Sequence, residues 1–239
     1  MKIQIIPCLQ DNYSYLIIDK KNNTACVIDP SEADPIIEYL ENNNIKLKFI
    51  LNTHHHYDHV GGNEKLKEKY GVSVVGYKGD KERIPKIDIL VNDQETWIYE
   101  NFEAKVIHVP GHTLGHVCFY FYKEQSVFTG DTLFSLGCGR IFEGTHSQMF
   151  NSLMKLKELP QNTKVYCGHE YTKQNSNFCI AHDKNNENLK AKIKEIEIKL
   201  KNRIPTIPST IKDELECNVF LRSRNVETFS KLRDLKDNF

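Results

Sequence analysis

Thr53-His54-His55-His56-Tyr57-Asp58-His59 is the stretch on which the reading of this chain turns. A short apolar run, residues 48–51, leads straight into it, and Gly61-Gly62-Asn63 follows and opens a helix to about Tyr70. Imidazole and carboxylate at this density are donors suited to zinc and other first-row metals. Without a metal, such a cluster would set competing polar and charged groups against one another with nothing to compensate them. His54 and His56 are two apart and point the same way from an extended segment. Asp58 and His59 begin the turn into the next helix and face a neighbouring space, so the block feeds two metals.

Three further donors lie downstream, each bordered by glycine: Pro110-Gly111-His112-Thr113, Thr129-Gly130-Asp131 and Cys167-Gly168-His169. Each follows or borders an expected strand end, and ligands carried at several strand ends converge on one rim. His54, His56, Asp58, His59, His112, Asp131 and His169 suffice to hold two divalent metals with water between them. The pattern is that of a metal-dependent hydrolase. His55, His108, His116, His146 and His182 read as ordinary, satisfied polar side chains.

The rest of the chain sets bounds. At 239 residues it can bury a full core. Lys plus Arg and Asp plus Glu are 32 each, which gives no reason to expect a nucleic-acid partner. The opening residues do not read as a signal peptide, and no stretch approaches ~20 continuous apolar residues, so no membrane span is expected. Seven cysteines without a C-x-x-C pair fit a reducing cytoplasm better than a disulfide framework. Strands are expected near 2–6, 13–18, 25–28, 48–51, 73–76, 95–99, 104–108, 117–121, 127–129 and 164–167, with Asn22-Asn23 turning a hairpin. Asp34 is expected to cap a helix with Pro35 at its first position. Helical spacing marks 147–157 and 187–202, the latter with a solvated charged face. Pro205 and Pro208 mark a loop before a last helical segment. The mixture reads as two stacked sheets covered by helices, although composition alone does not separate this from an open α/β sheet.

Longer motifs carry a resemblance. The block fits T-H-x-H-x-D-H, and IPCLQDNYSYLI, VPGHTLGH, FTGDTLF, GCGRIFEGT, CGHEYT and NVFLR follow in order. Across nearly its whole length the chain resembles the glyoxalase II (hydroxyacylglutathione hydrolase) family of the metallo-β-lactamase superfamily. The resemblance implies an α/β, four-layer αββα sandwich over residues 1–169 and a small helical substrate-binding domain over 170–239. It implies one metal on His54, His56 and His112, a second on Asp58, His59 and His169, and Asp131 bridging both with a hydroxide. Asp58 and Asp131 are the catalytic carboxylates in that picture. The ions are divalent, zinc in the first place, with iron or manganese as alternatives. The implied reaction is hydrolysis of S-D-lactoylglutathione to glutathione and D-lactate, the second step of methylglyoxal detoxification. Arg140, Phe142, Tyr171, Arg222 and Arg224 match the family's contacts to the glutathione thioester. Phe142 stands where many relatives carry tyrosine, and Val219 replaces a usual proline. A cytoplasmic monomer with a small-molecule substrate, and neither nucleic acid nor membrane as partner, completes the expectation. Rival readings are a lactonase, a β-lactamase, a phosphodiesterase or RNA-processing nuclease, a diiron oxygen-reducing protein, and a non-catalytic metal-binding protein. The diiron relatives have glutamate where His56 stands, and a flavin domain for which this chain is too short.

Overall fold

The computed structural model describes all residues, Met1–Phe239. The chain forms two compact units, Met1–His108 with Gly115–Glu124, and Val109–Leu114 with Gln125–Phe239.

The first unit begins with β1 (Lys2–Cys8), β2 (Asn12–Asp19) and β3 (Thr24–Ile28), an antiparallel run. Lys2 pairs with Ile18 and Cys8 with Asn12. The turn between β2 and β3 falls at the expected asparagines: Asn23 is left-handed, and Asp19 accepts hydrogen bonds from Lys21 N and Asn22 Nδ2. Three parallel additions follow: α1 (Asp34–Asn42) leads to β4 (Lys46–Leu51), then α2 (Tyr57–Val60) and α3 (Asn63–Tyr70) to β5 (Ser73–Tyr77), then β6 (Ile87–Val91). The sheet order is therefore β1-β2-β3-β4-β5-β6. Leu16, Ile18, Ala25, Val27 and Ile50 form one core with Ile36 and Leu40 of α1 and Leu66 of α3. Asp34 is not the helix cap: it lies inside the first turn, Ala33 caps without a side-chain bond, and Asp34 reaches Lys65 instead. Pro35 in the first turn already removes a donor that a cap would otherwise have served.

β7 (Thr96–Tyr99), β8 (Phe102–His108) and β9 (Val117–Phe121) form an antiparallel meander in the same unit. Phe49 of β4 lies edge-on to Trp97 and Tyr99 at 5.3 and 4.3 Å, an aromatic contact between sheet and meander.

The second unit holds β10 (Ser126–Gly130), the short hairpin β11 (Leu133–Phe134) and β12 (Gly137–Cys138), α4 (His146–Lys157), β13 (Lys164–Cys167), α5 (Thr172–His182), α6 (Glu187–Lys201), β14 (Ser209–Thr210), α7 (Ile211–Cys217) and α8 (Val226–Asp237). β13 lies between parallel β10 and antiparallel β14. Polar side chains cap four of these helices: Thr145 and Thr210 form reciprocal capping boxes on α4 and α7, and Asn186 and Asn225 accept from the third amide of α6 and α8. Phe220 sits between Phe178 of α5 and Phe229 of α8, at 5.5 and 6.0 Å, and fixes the helices to one another. All seven cysteines are buried, and none forms a disulfide. Burial pushes the Cys179 and Cys217 thiols up to about 12, which keeps them protonated and poor metal ligands at neutral pH. No helix is long and apolar enough to cross a membrane.

Candidate metal centre and adjoining cleft

In the first unit, the end of β4 delivers the histidine block and α2 carries its last two donors. The anchor is Asp29, one residue past β3 and in left-handed backbone, with φ +46°. Its Oδ1 accepts from Thr53 N at 2.7 Å and its Oδ2 from Thr53 Oγ1 at 2.6 Å; Oδ2 also lies 3.0 Å from His59 Nδ1. Thr53 Oγ1, its proton committed to Asp29, is left to accept from His54 Nδ1 at 3.0 Å. These bonds assign the Nδ1 proton in both rings, so Nε2 is the nitrogen each presents as a ligand. The donor atoms of Asp29, His54 and His59 lie within 4.8 Å of one another. His54 and His59 are buried, 4.2 Å apart by ring centres, and His56 stands 4.7 Å from His54. His116 stacks on His54 at 4.6 Å and steadies the ring's orientation. Asp58 Oδ2 is 3.5 Å from His59 Nε2 and accepts from Asn12 Nδ2 at 3.0 Å. His55 turns away to Asp80 at 3.1 Å, and Asp80 is also bonded by Arg83.

In the second unit, β10 ends in a bulge at Gly130, whose φ of +46° suits glycine, and Asp131 follows. Gly168 N donates to Gly130 O at 2.9 Å, bringing the start of the His169 segment beside Asp131. Asp131 Oδ2 lies 3.5 Å from His112 Nε2 and 3.3 Å from His169 Nε2. One carboxylate oxygen thus faces two imidazole nitrogens. His112 Nδ1 donates to Arg140 O at 2.8 Å, again leaving Nε2 as the ligand nitrogen. Gly139 is required by close approach: a β-carbon there would sit 1.9 Å from Asp131 O. In both units the donor chemistry fits first-row divalent metals, and backbone and side-chain bonds fix the imidazole nitrogens for that task.

Beside this second group lies a cleft of about 450 Å³, lined by His112, Asp131, Phe134, Arg140, Phe142 and Tyr171, with Arg233, Lys236, Asp237 and Phe239 from the C-terminal end. Tyr171 stacks on His169 at 4.6 Å and meets Phe134 at 5.3 Å. Phe142 is well exposed and packs 5.1 Å from His112. Arg140 is mostly exposed, with Nε 3.5 Å from Asp237. Burial, and then the charge of Arg233, draws Lys236 below the usual lysine range.

The structure brings Arg140, Phe142 and Tyr171 to this cleft and takes Arg222 and Arg224 elsewhere. Those two line a separate cleft with His182, Asp183 and Lys231, where Arg222 is ion-paired to Asp183. The physical reason is the turn after α7: Phe220 and Leu221 are buried, and Arg222 N bonds back to Asn218 O. Two cations join Arg140 in lining the first cleft, Arg233 and Lys236, three apart on α8, a one-face spacing that drew no attention in the sequence. Asp29 and Asn12 were missed as well, since each acts through hydrogen bonds to donors and neither sits in the histidine block. Asp29 does share one signal with the ligands, a polar residue directly after a strand.

A family model for the metallo-beta-lactamase superfamily matches residues 10–169, and one for the hydroxyacylglutathione hydrolase C-terminus matches residues 170–239. The hydroxyacylglutathione hydrolase of Pelagibacter ubique is 77% identical over 239 residues, covering 100% of both chains. That of Methylococcus capsulatus is 41% identical over 253 residues, covering 100% of this chain and 99% of its own. Among solved structures, ETHE1 from Myxococcus xanthus superposes with a TM-score of 0.75 at 24% identity, over 98% of this chain and 90% of its own. The BLEG-1 B3 metallo-beta-lactamase gives 0.74 at 22%, over 93% and 100%. At that identity the two structures speak for the fold alone, an α/β metallo-β-lactamase fold with a C-terminal helical segment.

Proposed function

Because the chain belongs to the hydroxyacylglutathione hydrolase family of the metallo-β-lactamase superfamily, we propose that it hydrolyses S-(2-hydroxyacyl)glutathione, S-D-lactoylglutathione foremost, to glutathione and the 2-hydroxy acid. This is the second step of methylglyoxal detoxification. The observation that carries the reading is Asp131: its Oδ2 faces the Nε2 atoms of His112 and His169 at the edge of a cleft whose cations suit a doubly carboxylated ligand. His54, His56 and His112 are the proposed ligands of one divalent ion, Asp58, His59 and His169 of the other, with Asp131 shared. Zinc is the proposed metal, on the strength of the nitrogen and oxygen donor set. Two such ions would supply a water acidified towards neutrality and a Lewis acid for the thioester carbonyl.

The chain's own residues do the rest. Asp29 and Thr53 hold His54 and His59 in the ligating tautomer, and the Arg140 carbonyl does so for His112. Asp58, steadied by Asn12, orients the attacking water. Arg140 and Lys236 receive the carboxylates of the glutathione moiety, and Phe142 and Tyr171 pack against its length. Glutathione leaves as a thiolate, which needs no strong general acid. Seven thiols held without a disulfide, and a glutathione substrate, support a cytoplasmic enzyme. A monomer acting on a small molecule, with neither nucleic acid nor membrane as partner, completes the proposal. The test is a substrate panel on the metal-loaded protein: S-D-lactoylglutathione, a small thioester, a lactone, a β-lactam and a phosphodiester. The glutathione thioester is expected to have the highest kcat/KM, and a higher value for any other member would overturn the reading.

A further inference from the structure

Between Asp131 and Arg140 the chain makes the β11–β12 hairpin, with Leu133 opposite Cys138 and Phe134 opposite Gly137. Its turn contains Leu136 at φ +58°, a conformation that costs a branched side chain and must be held by its surroundings. Five side chains from later in the chain hold this backbone. Asn175 donates to Ser135 O at 3.1 Å, Cys179 to Leu136 O at 3.1 Å, Asn218 to Gly137 O at 3.0 Å and Arg233 to Cys138 O at 2.7 Å. Glu214 alone of the five accepts, taking Leu136 N at 2.9 Å and Asn218 Nδ2 at 2.9 Å. Glu214 and Asn218 are both fully buried. A carboxyl in such a place is expensive and is tolerated when its hydrogen bonds are needed. An apolar residue there would leave the Leu136 N–H buried without an acceptor. The hairpin in turn presents Phe134 and, two residues after Cys138, Arg140 to the cleft.

We propose that Glu214 is a positioning residue for substrate binding: by accepting the Leu136 N–H it sets the β11–β12 hairpin, and so the place of Phe134 and Arg140 in the cleft. This rests on the reading of that cleft as the glutathione site. The test compares the wild type with Glu214→Gln, Glu214→Asp and Glu214→Ala, in steady-state kinetics on S-D-lactoylglutathione and on a small thioester without the glutathione carboxylates. Metal content and circular dichroism accompany each protein. Losing the acceptor while the donor stays buried is expected to raise KM for the glutathione thioester roughly tenfold in the aspartate and alanine proteins. The small thioester should change by no more than about threefold, since the loss falls on remote binding. Glutamine keeps an acceptor oxygen at the same reach and is expected to stay near wild type. If the alanine protein does not fold, the aspartate protein, its carboxyl drawn back by one methylene, carries the test. Unchanged KM in folded variants, equal losses on both thioesters, or failure of glutamine to rescue would each overturn the role of Glu214. A wild type that shows no preference for the glutathione thioester is a separate outcome, and it removes the functional reading together with this proposal.

Discussion

Asp131 and His55 make opposite predictions from similar-looking sequence. Asp131 Oδ2 faces two imidazole nitrogens, so replacing it with alanine removes a donor from both proposed ions at once. His55 sits in the middle of the histidine block yet spends its ring on Asp80. Asp131→Ala is expected to lower kcat/KM by roughly a hundred- to a thousandfold and to reduce bound metal, a loss of the size seen when a group acting on the reacting charge is removed. His55→Ala is expected to keep its metal and most of its activity. Elemental analysis beside kinetics checks the pair, and equal losses in both would show that the block is oriented otherwise. Arg140→Ala is expected to raise KM for the glutathione thioester roughly ten- to a hundredfold, the worth of one charge-assisted contact, with kcat little changed. A small thioester should hardly register it; an equal loss there would move Arg140 from substrate binding to support of His112. Single residues were most legible in the sequence where the chemistry is dense, as from His54 to His59. Asp29 was not, because a carboxylate that orients ligands through hydrogen bonds looks like any strand-end aspartate. The place of Arg222 was not legible either: its motif names a residue type, while burial of Phe220 and Leu221 decides where that side chain goes.

At the scale of elements, short apolar runs made β2, β4 and β9 readable and apolar periodicity α4 and α6, and the absence of both hid α5. The buried residues of α5 include Thr172, Asn175 and Ser176, which carry no apolar stripe. Two of them serve the hairpin and the loop before β14: Asn175 bonds Ser135 O, and Thr172 bonds Thr206. β11, β12 and β14 have two residues each, too few for any pattern to register. α7 carries a prediction of its own. Burial outweighs the bonds from Ser209, Asn218 and Leu136 N and raises Glu214 from 4.5 to about 7. The folded chain therefore keeps a proton between those two values that the unfolded chain has released. A raised carboxyl works against the folded state, so the stability cost is absent below 4.5, grows as pH climbs, and is complete above 7. Its ceiling is about 3–4 kcal/mol, from a rise of 4.5 to about 7 at about 1.4 kcal/mol per pKa unit. Glu214→Gln is expected to be stabler than the wild type near pH 8, with the advantage fading towards about pH 5. Urea unfolding at both pH values decides it; a constant difference between the two proteins would mean that Glu214 does not titrate in this window.

On the scale of the whole molecule, the family boundary and the packing divide the chain differently. The family models meet at residues 169 and 170, whereas the compact units part at His108 and Glu124, with the segment Val109–Leu114 exchanged. The helices after residue 170 belong with the strands before it because their side chains, Arg233, Asn218, Glu214 and Asn175, bond the backbone of residues 135–138. No periodicity in sequence announces such long-range polar contacts. The proposed ligands divide too, His54, His56, Asp58 and His59 in one unit and His112, Asp131 and His169 in the other. Metal held by these proposed ligands would be bound by the folded chain and not by the unfolded one, so it would add to stability by mass action. Free metal at about a hundred times its dissociation constant contributes about 2.7 kcal/mol per site. At roughly 2–4 °C per kcal/mol for a chain of this size, two sites correspond to a fall in Tm of about 10–20 °C on removal. The purified protein is accordingly expected to hold close to two metal equivalents, and dialysis against a chelator to abolish activity and lower Tm by that order. Stepwise return of zinc, followed by calorimetry and by thioester hydrolysis, should restore both together. A protein that keeps its Tm and its activity with only trace metal would end the binuclear mechanism.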